Sequence, residues 1–268
     1  NISDFSGITA ERNLLPFRDG YVDGTDGNNV IGQGYIDGAG DRVDANDAIL
    51  PGMTGNDDYI RAGLGNDSVS AGAGNDIVEG GAGNDTLIGG AGNDNIRWGQ
   101  GTAEGNSGTK GLAYGNDVLN GGTGNDRLDG GDGNDGVYAQ AGDDTLLAGA
   151  GNDMVDGGDG SDSMDAGDGD DVTIIRNGDT GTDTMTGGAG RDTLFVGRAD
   201  DWTITYDNGS TGSGSGSSAD GTASLGFTNM EVLWTDSGND SINGALAGID
   251  LNIRTNDGND TVIGGANN

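Results

Sequence analysis

None of the 268 residues is a cysteine and none is a histidine. Disulfides, thiolate or imidazole metal ligands, and nucleophilic sites built on Cys or His are all excluded. Basic residues are scarce too, with 11 Lys and Arg against 45 Asp and Glu, so the formal net charge is -34. Nucleic acid is therefore not a partner, since phosphates need clustered cations, and an anionic membrane surface is disfavoured for the same reason. Only 31% of the chain is hydrophobic and 5% aromatic, too little for a thick core. No stretch approaches ~20 apolar residues, the length a membrane-spanning helix needs.

What the chain has in quantity is glycine, 59 residues, and aspartate. Glutamate occurs only at Glu11, Glu79, Glu104 and Glu231. A chain this acidic and this poor in apolar residues stays unfolded unless a cation neutralises it. The first residue is Asn1, with no initiator Met and no charged-then-apolar leader, and the sequence reads as a fragment whose N-terminal signal is absent or removed.

Glycine and aspartate are arranged in a period of nine. "AGAGNDIVE" (Ala71 to Glu79), "GGAGNDTLI" (Gly80 to Ile88) and "GGAGNDNIR" (Gly89 to Arg97) follow one another directly, on the pattern G-G-x-G-x-D-x-U-x with U a large apolar residue. The period runs from Met53 to Arg97 with Asp58, Asp67, Asp76, Asp85 and Asp94. After an interruption at Trp98 to Gly111 it resumes from Leu112 to Ile174 with Asp117, Asp126, Asp135, Asp144, Asp153, Asp162 and Asp171. Three extra residues, Ile175 to Asn177, precede Asp183 and Asp192, and two isolated repeats carry Asp240 and Asp260. U is apolar in every repeat except at Thr173.

Two or three glycines per repeat, each costing ~1 kcal/mol against alanine, rule out helix. The pattern predicts a six-residue turn, where glycine supplies unusual backbone angles, and a three-residue strand x-U-x with U pointing inward. Two repeats bring the chain round once in about 18 residues, and coils stack at the ~4.8 Å spacing of paired strands, giving a flattened solenoid with two thin sheets. Aspartates two repeats apart then share an edge: Asp58, Asp76 and Asp94 on one, Asp67 and Asp85 on the other. Stacked carboxylates repel, and one apolar side chain per repeat, worth ~1.5 to 3 kcal/mol, does not offset fixing nine backbones at ~1 to 2 kcal/mol each. A divalent cation supplies what is missing. Oxygen-only donors on flexible turns select Ca²⁺ over the more strictly octahedral Mg²⁺, and on the order of ten ions fit between stacked turns.

Residues 53–97 and 112–195 resemble the RTX family of haemolysin-type calcium-binding repeats, whose nonapeptide is among the known solenoid periods. The resemblance implies an all-β fold, a right-handed parallel β-roll solenoid, with Ca²⁺ held by the sixth-position aspartates at its turns. It also implies export by type I secretion, with folding outside the cell where calcium is plentiful. The first repeat position departs from glycine at Met53, Ala62, Ala71, Leu112, Ala139, Ala148 and Ala166.

The expected organisation is an irregular N-terminal cap or degenerate repeats over 1–52, the roll over 53–195 with a loop insertion at 98–111, an aromatic β-hairpin over 196–234, and a short second stretch of repeats over 235–268. "GTDGNNVIG" (Gly24 to Gly32) is a weak echo of the repeat with Asn29 in the aspartate position, and Asp37 to Ala48 fails the EF-hand template at Ala39, Arg42 and Ala48. In the hairpin, Trp202, Ile204 and Tyr206 alternate onto one face, with "GFTNMEVLW" as the second strand beyond a flexible Gly/Ser linker. That face packs on the roll or meets a glycan or protein partner. The final "GGANN" opens a repeat and stops, which leaves a sheet end for more chain or for another copy.

Carboxylate pairs occur everywhere but no cleft is evident, so catalysis is not expected. The sequence thus reads as a secreted, extracellular or cell-surface calcium-binding structural module of a surface, adhesin or matrix protein. The alternative is the non-catalytic C-terminal region of a secreted enzyme such as a protease or lipase.

Overall fold

In the computed structural model the described residues are 22–25, 27–33, 43, 56–97, 116–176, 179–197, 201–207, 212–245 and 251–264. All their regular structure is β-strand, arranged in a thirteen-stranded and a ten-stranded sheet. Consecutive strands alternate between the sheets through most of the chain, so each coil contributes one strand to either layer. Pairing is parallel and in register over successive coils, as in Thr145↔Ser163 and Leu146↔Met164, which is the arrangement of a parallel β-roll.

The strands are longer than the expected three residues. Thr86–Ala91 has six, x-U-x-G-G-x, and turns over only at Gly92, Asn93 and Asp94. Leu87 and Gly89 both face inward, so each strand presents two core positions, one large and one minimal. This explains the alanines at the first repeat position: Ala62, Ala71, Ala139, Ala148 and Ala166 are fully buried and fill that second position with a methyl group. The U residues from Ile60 to Leu194 and Ile242 form one narrow core, Thr173 among them, whereas Val262 on the outermost strand is 46% exposed.

The second glycine cannot be exchanged in this way. Gly81 has φ +106° and pairs with Gly63 of the preceding coil, and a methyl group on it would run into the Gly63 carbonyl oxygen. Substitution Gly81→Ala combines a disfavoured φ with a backbone clash, and we expect it to destabilise the fold by about 1–3 kcal/mol. Thermal unfolding in matched buffer checks this, with Ala71→Gly, at a permissive position, as the control.

The interruption at 98–111 leaves the stack unbroken. Its residues lie outside the described ones, as does Trp98, but the coils on either side meet in register through Leu87↔Leu119 and Ile96↔Leu128. The described part of the N-terminal region is a degenerate coil: Val22–Thr25 and Val30–Ile31 add parallel to the two sheets and bury Val22 and Ile31. The rest of 1–52, including all but Val43 of the segment Asp37 to Ala48, is outside the described residues.

The hairpin is wired differently from the expectation. Trp202–Tyr206 pairs antiparallel not with the segment leading to Trp234 but with Gly214–Ser218, the Gly/Ser stretch read as a linker. Gly214–Ser218 in turn pairs antiparallel with Ala223–Thr228, and Val232–Thr235 belongs to the other sheet. The physical reason lies in the small residues. A methyl group on Gly216 would stand 3.0 Å from Ile204 and 3.3 Å from Leu225, and one on Gly214 2.5 Å from the Phe227 ring, so a side-chain-free strand is what fits between these bulky neighbours. Trp202, Ile204 and Tyr206 share a face as expected and are buried, with Tyr206 edge-on to Phe227 at 5.0 Å between ring centres. Of this segment's tryptophans only Trp234 faces outward.

Candidate metal centre

Each turn places its aspartate at the mouth of a strand, and successive coils stack these residues into a ladder. The backbone N–H of Asp117 donates to Oδ1 of Asp135 at 2.8 Å, that of Asp135 to Asp153 at 2.8 Å, and that of Asp153 to Asp171 at 2.8 Å. One edge of the roll carries Asp58, Asp76, Asp94, Asp126, Asp144, Asp162 and Asp183 in this way. The other carries Asp67, Asp85, Asp117, Asp135, Asp153, Asp171 and Asp192. The ladder bridges the long interruption through Asp85 to Asp117 and Asp94 to Asp126, and the three-residue extension through Asp162 to Asp183. Asp240 and Asp260 form a separate short ladder, at 3.0 Å.

One carboxylate oxygen is thereby satisfied and the other is not. Oδ2 of Asp67, Asp85, Asp94, Asp126, Asp135, Asp144, Asp153, Asp162, Asp171, Asp192 and Asp240 is buried with no hydrogen-bond partner. A buried carboxylate oxygen without a partner is costly, and repeating it coil after coil requires a compensating ligand. The first repeat glycine accommodates this oxygen: a methyl group on Gly80 would lie 2.6 Å from Oδ2 of Asp85, and one on Gly130 2.7 Å from Oδ2 of Asp135. A hard cation fits a row of inward-turned oxygens with no nitrogen or sulfur donor, flanked by turn carbonyls.

The electrostatics point the same way. Burial pushes the carboxyls of Asp85, Asp94, Asp144, Asp153, Asp183 and Asp192 up to about 6, and those of Asp135 and Asp162 to about 7. The ladder N–H bonds oppose the shift, and neighbouring carboxylates add to it; Asp135 is raised by both Asp117 and Asp153. Asp117, Asp126 and Asp171 are raised by burial as well.

Asn29, in the aspartate position of the weak N-terminal repeat, starts one ladder, its backbone N–H donating to Oδ1 of Asp67 at 2.7 Å and its side-chain amide to the same oxygen at 2.9 Å. Other ladder positions escape the sequence pattern. Glu231 extends that edge, accepting the Asp192 N–H at 2.9 Å. Its signal is the acid placed two residues before the buried apolar Leu233, the spacing every ladder aspartate keeps to its U residue. The other ladder stops at Asp183, whose partner in register is the apolar Leu225. Trp202 occupies the aspartate position one coil before Asp240 and donates its N–H to Oδ1 of Asp240 at 2.9 Å. A second row runs beside the first: the N–H of Asn134 donates to Asn116 Oδ1 at 2.8 Å and that of Asn152 to Asn134 at 2.8 Å, which ties the turns together in the opposite sense.

The RTX calcium-binding nonapeptide repeat (4 copies) matches this chain at residues 54–87, 70–102, 113–146, 138–172, 177–204, 225–246 and 252–268, together well over half its length. No curated protein matches it.

Proposed function

Because the chain belongs to the RTX calcium-binding nonapeptide-repeat family, we propose that it is a calcium-dependent structural module whose ladder aspartates hold a file of Ca²⁺ ions along each edge of the roll. The observation that carries this reading is the series of buried Oδ2 atoms with no partner. The carboxylates to which we assign the ions are Asp58, Asp67, Asp76, Asp85, Asp94, Asp117, Asp126, Asp135, Asp144, Asp153, Asp162, Asp171, Asp183 and Asp192, with Asp240 and Asp260 forming a separate pair. Calcium brings positive charge to the Oδ2 atoms and takes them as ligands, where the chain places no hydrogen-bond donor on them. The module has no catalytic role, and it folds after export, at a cell surface or in an extracellular matrix; the calcium dependence and the family's association with type I secretion support that setting.

Isothermal titration of the chelator-stripped protein tests the assignment. Several ions per chain are expected. Asp135→Asn, in the middle of a file, should lower the stoichiometry and weaken the remaining binding at least about tenfold, since its two neighbours share its ions. A binding curve unchanged in Asp135→Asn would mean that the ladder does not hold the ions.

The outermost strand, Thr261–Ile263, leaves Val262 half-exposed where the corresponding side chains of the inner coils are buried. Such an edge accepts another strand, from a longer chain or from a second copy. End-to-end assembly is the reading in which a second copy fills it, and sedimentation velocity over a calcium titration decides: reversible growth beyond the monomer supports it, and compaction to a monomer at all concentrations refutes it.

A further inference from the structure

On the outer face of the ten-stranded sheet, away from both ladders, three local departures from the repeat coincide. The first is Gln140, which sits at φ +82° in register between Gly122 and Gly158. A non-glycine residue there is strained, and strain of this kind clusters at functional sites. The second is Gly136 in the position before U; a methyl group there would lie 2.9 Å from the Tyr138 ring, so its absence lets that ring lie along the strand. The third is the repeat between Thr173 and Met185, three residues longer than its counterparts, within which Asp179 is buried and lies beside Asp156.

These departures surround one pocket of about 370 Å³, whose lining includes Asn120, Tyr138, Gln140, Asp156, Asp159, Arg176 and Asp179. Asp156 occupies a position that faces solvent in other coils, such as Ile88 at 39% exposure, yet it is only 4% exposed. Arg176 pairs with its Oδ2, and its buried Oδ1 has no hydrogen-bond partner. The Arg176 guanidinium also lies over the Tyr138 ring, 5.7 Å from its centre, and its backbone N–H donates to Asp179. Gln140 donates its amide to Asn120.

We infer that this pocket binds one unit of a neutral carbohydrate, with the Asp156 carboxylate and the Gln140 and Asn120 amides meeting its hydroxyls and Tyr138 its C–H face. Sugar hydroxyls both donate and accept, so they suit a wall that mixes carboxylates, amides and a guanidinium. The volume is that of a small-ligand site. The acids lining the pocket outnumber Arg176, which rejects anionic ligands. Nothing in a calcium-stapled solenoid calls for a strained glutamine or a buried non-ladder aspartate at this place, because the neighbouring coils close with glycine.

The test is saturation-transfer NMR on the calcium-loaded protein with glucose, galactose, mannose, N-acetylglucosamine and their disaccharides. At least one should bind, and Asp156→Asn and Tyr138→Ala should weaken it at least about tenfold. The decisive variant is Gln140→Gly, which restores the repeat and relieves the backbone: it should lose binding while keeping or raising the melting temperature. The proposal is overturned if none of these sugars binds, if Gln140→Gly binds as well as the parent, or if Asp156→Asn lowers the calcium stoichiometry, which would make the pocket one more cation site.

Discussion

Excess EGTA at pH 7.5 is expected to convert the protein from a rigid roll into an expanded coil, with loss of nearly all its strand signal in circular dichroism. Ladder carboxylates recur at the coil spacing of ~4.8 Å, where two unit charges repel by about 3.5 kcal/mol at an effective dielectric constant of 20. Each ladder aspartate between two others feels this from both sides, and the narrow core does not outweigh it: one large side chain per strand is buried, worth ~1.5 to 3 kcal/mol, with the second core position filled by glycine or alanine. Removing the cations leaves the repulsion and a net charge of -34 uncompensated. The radius of gyration should rise toward the ~57 Å of an unfolded 268-residue chain. Readdition of calcium should restore the signal in one cooperative step, because each coil is paired along both sheets with the next. A chelated protein that keeps its strand signal and its radius would show that the core alone suffices and that the cation is not what holds the roll together.

The repeat makes the fold legible because every link in it is local. The nine-residue period sets the coil, U marks the inner face, and aspartate marks the edge, so that Asp58 with Asp76, and Asp67 with Asp85, could be placed together from the period alone. What was not legible depends on neighbours distant in sequence. The six-residue strand was hidden because glycine disfavours strands in general, whereas in the roll Gly89 lies inward against Asp94 and Gly90 pairs in register with Gly72 and Gly122. The Gly/Ser run at 214–218 reads as linker until Ile204, Leu225 and Phe227 are seen pressing on it, at which point the lack of side chains is what makes it a strand. Glu231 was obscured by its longer side chain and by the absence of the flanking glycines that announce the other turns. Gln140 looked like an ordinary variation, since a sequence carries no backbone angles.

Acid should stand in for calcium. The carboxyls of Asp85, Asp94, Asp144, Asp153, Asp183 and Asp192 are raised on folding from 3.8 to about 6, and those of Asp135 and Asp162 to about 7, with burial as the main cause. A group raised on folding binds its proton more tightly in the roll than in the coil. Its favourable contribution is therefore complete below the unfolded value near 4 and disappears as the pH climbs through 6 to 7. This is the reverse of the usual salt-bridged aspartate, which stabilises at neutral pH and fails in acid. In excess EGTA the protein should accordingly recover strand structure as the pH is lowered from 7.5 to about 4, over a narrow interval because many sites along each edge titrate together. With calcium present the dependence inverts, since protons compete for the same oxygens and the calcium midpoint should move to higher concentration as the pH falls toward 5. The two curves approach each other in the acid range because protonation and coordination remove the same repulsion by different means. Light scattering alongside the dichroism separates refolding from precipitation near the isoelectric point of about 4.1. If the chelated chain remains a monomeric coil down to pH 4, charge on the ladders is not what holds it open, and calcium must act by cross-linking the turns rather than by neutralising them.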